Sequence, residues 1–446
     1  MPISRRTFLA TAGLALAANT KPNIVLILAD DMGSADLSSY GAPDIRTPHI
    51  DSIGQQGVKF LNAYCNAPEC TPSRTALLTG RYQQRVGGME CALGVGNVGR
   101  YDEAIWLRER NQMGLPHEET TIARMLKQAG YDTACIGKWH LGYTRDFAPN
   151  GHGFDEYFGI LGGNADYYKH IEEDGTNVLY ENDKPVQREG YLTDLIGQRA
   201  VDWLRRRSTK PFFLYVPFSS PHSPYQSHTV KEIPPNGYNR GSRKIYAEMV
   251  QAMDTQVKAI LDQLEHMGAS RNTWVIFLSD NGGTNVGSNK PYRGFKSSVW
   301  EGGIRTCCLM RWPGVFRPGS ETAQVSLMFD ITATIAAVAG AKPARKFDGE
   351  NLLAHWKGEQ PPKPRTVFWR YRRAENTRKA ARHGDWKLVN DNGTESLHNL
   401  AQDTSEKDNR IQQEPAIADD LRARLAAWEN EVRAPRLKEF YASARR

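Results

Sequence analysis

The chain has 446 residues, with 57 Lys and Arg against 50 Asp and Glu, a formal charge of +7 and 40% hydrophobic residues. That is an ordinary globular composition, large enough for one big domain and a smaller one, and the modest positive balance suits a polyanionic ligand without pointing to nucleic acid. Six cysteines, Cys65, Cys70, Cys91, Cys135, Cys307 and Cys308, are too few in so long a chain for a dense disulfide framework, and Cys65-x4-Cys70 has no second Cys/His pair to complete a zinc site.

In chain order, Ser4-Arg-Arg-Thr-Phe-Leu-Ala10 is a twin-arginine pattern followed by an apolar run to Ala18. It predicts a signal peptide over 1–18 and export to a periplasm or beyond. The run falls short of the roughly 20 residues that span a bilayer, and no later segment reaches that length, so no stable membrane association is expected.

Asn23-Ile-Val-Leu-Ile-Leu-Ala29 then reads as a strand buried on both faces, and it ends in Asp30-Asp31. The same grammar recurs three times. Thr133–Ile136 runs into Gly137-Lys138-Trp139-His140, Phe212–Val216 into Ser220-Pro221-His222, and Trp274–Ser279 into Asp280-Asn281-Gly-Gly. Helical periodicity over Thr120–Ala129, Leu192–Arg206 and Lys244–Met267 alternates with these strands. The expected fold is therefore α/β: a doubly wound, mostly parallel sheet flanked by helices, whose C-terminal strand ends deliver polar residues to one crevice.

Two features of that crevice carry chemistry. Asp30, Asp31, Asp280 and Asn281 form a hard oxygen set, which suits Ca2+, or Mg2+, better than zinc. Cys70-Thr-Pro-Ser-Arg74 opens a helix that Gly80 closes, so an anion beside Cys70 meets a helix N-terminus, with Arg74 one turn on. Lys138, His140, His222 and Lys296 add cations and titratable groups, an arrangement that calls for an anionic substrate. Gly94-Val-Gly-Asn-Val-Gly99 matches a dinucleotide fingerprint, but without a preceding strand or following helix it reads as a loop bordering the mouth of the site.

Cys70-Thr-Pro-Ser-Arg74 with Thr79-Gly80-Arg81 resembles the signature of the formylglycine-dependent (type I) sulfatases of the alkaline phosphatase superfamily. Asp30-Asp31-Met-Gly, Gly137-Lys-Trp-His-Leu-Gly142, Ser220-Pro-His-Ser-Pro224, Ser279-Asp-Asn-Gly-Gly283 and Glu301-Gly-Gly-Ile-Arg305 match its other motifs in order. The resemblance implies that Cys70 is oxidised to Cα-formylglycine by a formylglycine-generating enzyme. It also implies that Asp30, Asp31, Asp280, Asn281 and the modified Cys70 hold the cation. In that scheme Arg74, Lys138 and Lys296 steady the formylglycine hydroxyls and the sulfate, His222 or a lysine protonates the leaving alcohol, and His140 takes the proton whose removal expels sulfate. The implied activity is hydrolysis of sulfate monoesters, with a sulfated sugar or polysaccharide as substrate. A phosphonate or phosphate monoester hydrolase, and a glycan-binding homologue with unmodified Cys70, are the competing readings.

The predicted domains are a catalytic unit over 21–357, a Pro-rich linker over 358–364 and a C-terminal subdomain over 365–446. For the last of these, short strands near Thr366–Tyr371, Asp385–Val389 and Glu395–Leu400, a helix over Leu421–Val432 and a frayed Arg445-Arg446 end are expected. Nine basic residues between Lys363 and Lys387 face only Glu375 and Asp385 within the same span. They read as a solvated face of which some members line the substrate cleft.

Overall fold

The computed structural model describes residues 21–207, 209–233 and 237–443; the twin-arginine segment and the Arg445-Arg446 end lie outside the described residues. Its backbone is a ten-stranded sheet. The strand order is Ser320–Thr322, Val58–Phe60, Cys308–Arg311, Thr273–Ser279, Asn23–Ala29, Phe212–Pro217, Asp132–Ile136, Glu156–Ile160, Leu179–Glu181 and Lys184–Pro185. The five strands from Thr273–Ser279 to Glu156–Ile160 run parallel. Antiparallel pairs join Cys308–Arg311 and the Leu179–Glu181 hairpin at the two sides.

Alternation along the central strand shows why the sheet is covered twice. Ile24, Leu26 and Leu28 join a core with Leu77, Ile122 and Ile335, whereas Val25, Ile27 and Ala29 join another with Ile50, Ile196 and Met253. Helices Cys70–Thr79, Ile122–Gln128 and Met328–Ala339 therefore cover one face, and Pro48–Gln55, Leu192–Arg205 and Arg243–His266 the other. Two helices start at side-chain caps, with Thr121 accepting from the Arg124 N–H and Ser242 from the Ile245 N–H.

In register, Leu26 sits opposite both Tyr215 and Ile276. Parallel strands in register end together, so Asp30-Asp31, the segment to His222 and Asp280-Asn281 leave the sheet along one edge.

The C-terminal part is a four-stranded antiparallel sheet, Thr366–Arg373, Asn376–His383, Trp386–Asp391 and Thr394–Asn399, backed by the Pro415–Glu431 helix. The second of these strands is one that sequence periodicity does not announce, because Asn376-Thr-Arg-Lys-Ala-Ala-Arg-His383 has few apolar residues. Trp369, Tyr371, Leu388 and Leu397 continue the core shared with the Cys70 helix. The basic span is not a solvated face. Arg365 pairs with Asp330, Arg370 with Glu90, Arg372 with Glu103, and Lys379 with Glu429, so its counter-charges come from distant parts of the chain.

Candidate active site

The Cys70–Thr79 helix is buried along its whole length. It closes on Gly80 in the left-handed region (φ 69°), where a Cβ would lie 2.5 Å from the Phe347 ring. Cys70, at its first turn, is 1% exposed, and burial pushes its thiol up to about 12. Arg74, one turn along, donates through Nε to Asp280 Oδ2 at 3.0 Å and through Nη1 to the Lys138 carbonyl at 2.7 Å, while its Nη2 lies 2.9 Å from Asp280 Oδ2 as an ion-pair contact. That fork ties the helix to two strand ends at once.

Around Cys70 the strand ends converge. Lys138 Nζ donates to Asp30 Oδ2. Lys296 Nζ lies 2.8 Å from Asp31 Oδ2, 3.7 Å from Cys70 Sγ and 3.2 Å from His222 Nε2. Ligand atoms of Asp30, Asp31, Cys70 and His222 fall within 4.8 Å of one another. Asn281 Nδ2 donates to Asp31 Oδ1 at 2.8 Å.

The donor set fits a hard divalent cation on two observations. Asp30 Oδ1 and Asn281 Oδ1 are buried without a hydrogen-bond partner, an expensive state for an oxygen unless an ion takes it up. Burial and the neighbouring Asp30 carboxylate also push Asp280 up to about 7, as expected where acidic groups crowd without enough counter-charge. Asp31 goes the other way. Burial raises it, but the Lys296 and Lys138 charges hold it well below the usual carboxylate range.

Comparison with known proteins settles what this arrangement belongs to. The Sulfatase family model matches residues 22–341, and that of the N-sulphoglucosamine sulphohydrolase C-terminal region matches residues 294–431.

The chain belongs to the formylglycine-dependent sulfatase family.

This is a family of sulfuric ester hydrolases within the alkaline phosphatase superfamily. The chain is 35% identical to rat (Rattus norvegicus) N-acetylgalactosamine-6-sulfatase over 363 residues, covering 76% of this chain and 66% of that protein. It is 32% identical to mouse (Mus musculus) steryl-sulfatase, covering 76% and 65%. It thus spans about two thirds of the length of these relatives. Among solved structures it resembles Ps i-CgsB in complex with k-i-k-neocarrahexaose, with a TM-score of 0.81, 32% identity and coverage of 92% and 93%. Phosphonate monoester hydrolase of Agrobacterium radiobacter, 20% identical with a TM-score of 0.66, shares the fold.

In this sulfatase-family chain the two histidines differ in their surroundings. His140 stands in the left-handed region (φ 56°), and its Nε2 lies 3.0 Å from the Leu93 carbonyl. Nε2 therefore carries the proton and donates, which leaves a lone pair on Nδ1, and Nδ1 is buried without a partner. Burial, with the Lys138 charge, holds this ring well below its usual range and hence neutral. Gly163 packs against it, since a Cβ there would sit 2.6 Å from Nε2. His222 is anchored through Nδ1, 2.6 Å from the Ser223 carbonyl, and burial lowers it to about 3. Its Nε2 thus accepts from Lys296, whose charge Asp31 stabilises against the opposing effect of burial.

A cleft of about 680 Å³ opens over Cys70, His140, His222 and Lys296. Its walls include Arg373, a member of the basic span expected to contribute to the cleft, and residues that sequence reasoning missed: Glu69, Arg100, Tyr143 and Glu172. Gly94 and Val95 of the glycine-rich loop line it too, and within that loop lies only a short turn, Val95–Asn97. Asn164 also lines the cleft, whereas the nearby Tyr167 turns inward and its hydroxyl donates to the Ser219 and His222 carbonyls at 2.7 and 3.0 Å. All six cysteines are free and buried. No helix among the described residues is long and apolar enough to cross a membrane.

Proposed function

We propose that the protein hydrolyses sulfate monoesters of a sulfated sugar, using Cys70 as the precursor of a formylglycine and the Asp30, Asp31, Asp280 and Asn281 oxygens, with the Cys70 position itself, as the seat of a Ca2+ or Mg2+ ion. The supporting observation is the placement of Cys70 Sγ, 3.7 Å from Lys296 Nζ and beside two carboxylates and His222 at the floor of an open cleft. The similarity to N-acetylgalactosamine-6-sulfatase and to a carrageenan-oligosaccharide complex supports the sugar. When present, the hydrated formylglycine supplies the hydroxyl that attacks sulfur, and the cation stabilises charge on the sulfate oxygens.

The chain's own residues then have defined tasks. Lys138 and Lys296 are placed to hold sulfate oxygens, and Arg74 fixes Asp280 and the Lys138 backbone beneath them. Lys296 hands a proton through the neutral His222 toward the leaving alcohol. His140, with its free Nδ1 lone pair, takes the proton whose loss releases sulfate. Maturation by a formylglycine-generating enzyme and export through the twin-arginine pattern belong to the same reading.

The test begins with the mass of the Cys70 peptide, which falls by about 18 Da on conversion of thiol to aldehyde, in contrast to the gains of oxygen on the ordinary cysteine ladder. Matched sulfate and phosphate esters follow. The reading requires a higher kcat/KM for the sulfate, and a preference for the phosphate or phosphonate ester would reassign the enzyme within its superfamily.

A further inference from the structure

The cations around the cleft are nearly all spoken for. Lys138 is paired with Asp30, Lys296 with Asp31, Arg74 with Asp280 and Arg373 with Glu69. Arg100 is different. It lines the cleft, its Nε is buried with no hydrogen-bond partner, and among the described residues it has no carboxylate within ion-pair distance and no side-chain hydrogen bond. An uncompensated guanidinium in a half-buried wall is costly unless a ligand supplies the counter-charge.

Its position is built rather than incidental. Gly94 and Val98 exchange two backbone hydrogen bonds (3.1 and 3.2 Å), which close a tight hairpin just before Arg100. The guanidinium rests against Gly94, where a Cβ would lie 3.1 Å from Nη2. The neighbouring Leu93 carbonyl is the one that holds His140, so this wall is continuous with the catalytic floor. Asn97 Oδ1 accepts from the Tyr143 N–H at 2.7 Å, fixing the hairpin to the His140 segment. The Arg100 carbonyl accepts from the Ala374 N–H at 2.7 Å, which brings Arg373 alongside. Glu172, Glu173 and Asp174 line the same cleft, so an anionic group is favoured at the arginines and repelled by these carboxylates.

We propose that Arg100, with Arg373 beside it, forms a subsite for a second anionic group, sulfate ester or carboxylate, on a sugar whose scissile sulfate lies over Cys70. The substrate is then a glycan unit bearing at least two anions, one over Cys70 and one at Arg100. This rests on the sulfatase reading. Arginine is suited to the task because its planar fork meets either oxyanion with two parallel hydrogen bonds.

The experiment separates the subsite from turnover. A Cys70→Ala chain, which has neither a thiol nor a hydroxyl from which the aldehyde could form, is titrated calorimetrically with N-acetylgalactosamine 6-sulfate, N-acetylgalactosamine 4,6-disulfate and a 6-sulfated chondroitin disaccharide carrying a uronate. At least one two-anion ligand should bind about 10- to 100-fold more tightly than the monosulfate, the range expected for charge-assisted hydrogen bonds. Which of the two does so distinguishes sulfate from carboxylate. Arg100→Gln in that background should abolish the preference, Arg100→Lys should restore part of it, and Arg373→Gln, where the guanidinium already has Glu69, should weaken it less. Equal affinity for all three ligands, no binding of any of them, or a preference that survives Arg100→Gln overturns the subsite. Turnover of a simple aryl sulfate by the Cys70 protein is measured in parallel. Turnover without the binding preference removes the subsite alone, and the preference without turnover removes the sulfatase reading alone.

Discussion

Arg74 shows how much a single buried charge can organise. Its guanidinium makes one hydrogen bond to Asp280 and one to the Lys138 carbonyl, with a close ion-pair contact to Asp280 besides, and has no exposure to water. Arg74→Lys keeps the charge but cannot reproduce the fork, so it leaves at least one buried acceptor unmet. We expect a loss of about 3 kcal/mol or more in denaturant unfolding, together with a fall in kcat, because Lys138 moves with its carbonyl. Unchanged stability would mean that a lysine or a water meets both acceptors. At this scale legibility depended on neighbours in sequence. Asp30, Asp31, Asp280 and Asn281 stand out because each ends an apolar run, and Cys70 because of the motif around it. Arg100 does not stand out: what distinguishes it is the lack of a carboxylate nearby, and that exists only once the chain has folded.

Among elements, the loop that carries Lys296 has the most instructive support. Ser297 sits in the left-handed region (φ 69°), a conformation that costs a serine about 1 kcal/mol or more. Its neighbours hold it there. The Lys296 N–H donates to the Gly283 carbonyl at 3.1 Å, the Ser297 N–H to the Pro68 carbonyl at 2.8 Å, and the Ser297 hydroxyl to Glu69 at 2.7 Å. Arg378, from the C-terminal sheet, donates to the Ser297 carbonyl while Asp391 holds it from behind. Arg378 is thus a positioning residue for Lys296. Arg378→Ala should lower kcat by about 10-fold or more while shifting KM and the melting temperature little, as expected when a catalytic group is displaced without loss of packing. An equal rise in KM with kcat intact would assign Arg378 to binding instead. The parallel core strands were legible as elements because burial on both faces leaves continuous apolar runs. Val58–Phe60 and Cys308–Arg311 were not, since each is short and owes its state to pairing across the sheet. The helix boundaries came within a few residues where a cap such as Ser242 marked them.

Across the whole molecule, the C-terminal sheet and the main sheet share a core and a buried charge cluster. Lys387 Nζ reaches Glu301 at 2.9 Å and Glu406 at 2.8 Å, with all three side chains out of contact with water. Glu301 opens the turn that follows Lys296, so the smaller sheet is part of the catalytic framework. Sequence reading placed a linker at 358–364 but could not see that the basic residues beyond it point back into the protein, because their partners lie up to about three hundred positions away. Global stability should also report the cation. With Ca2+ at a hundred times its dissociation constant the folded state gains ~2.7 kcal/mol. Thermal melts should therefore rise by several degrees with Ca2+ and fall with a chelator, and Asp31→Asn should abolish the response. A melting temperature indifferent to Ca2+, Mg2+ and chelator would leave the oxygen cluster without a metal.

The complete burial of the Cys70 helix puts the proposed modification in a race. Its first turn lies beneath Lys296, and its sides are enclosed by the Met328–Ala339 helix and the sheet. An enzyme that must grip the peptide on both sides of Cys70 can do so only while this segment is still an extended strip, before the last third of the chain arrives to cover it. Once the fold closes, a molecule that still holds a thiol keeps it. The active fraction of any preparation then records the outcome of a competition in time, and slowing synthesis or folding should raise it even when the final structure is the same.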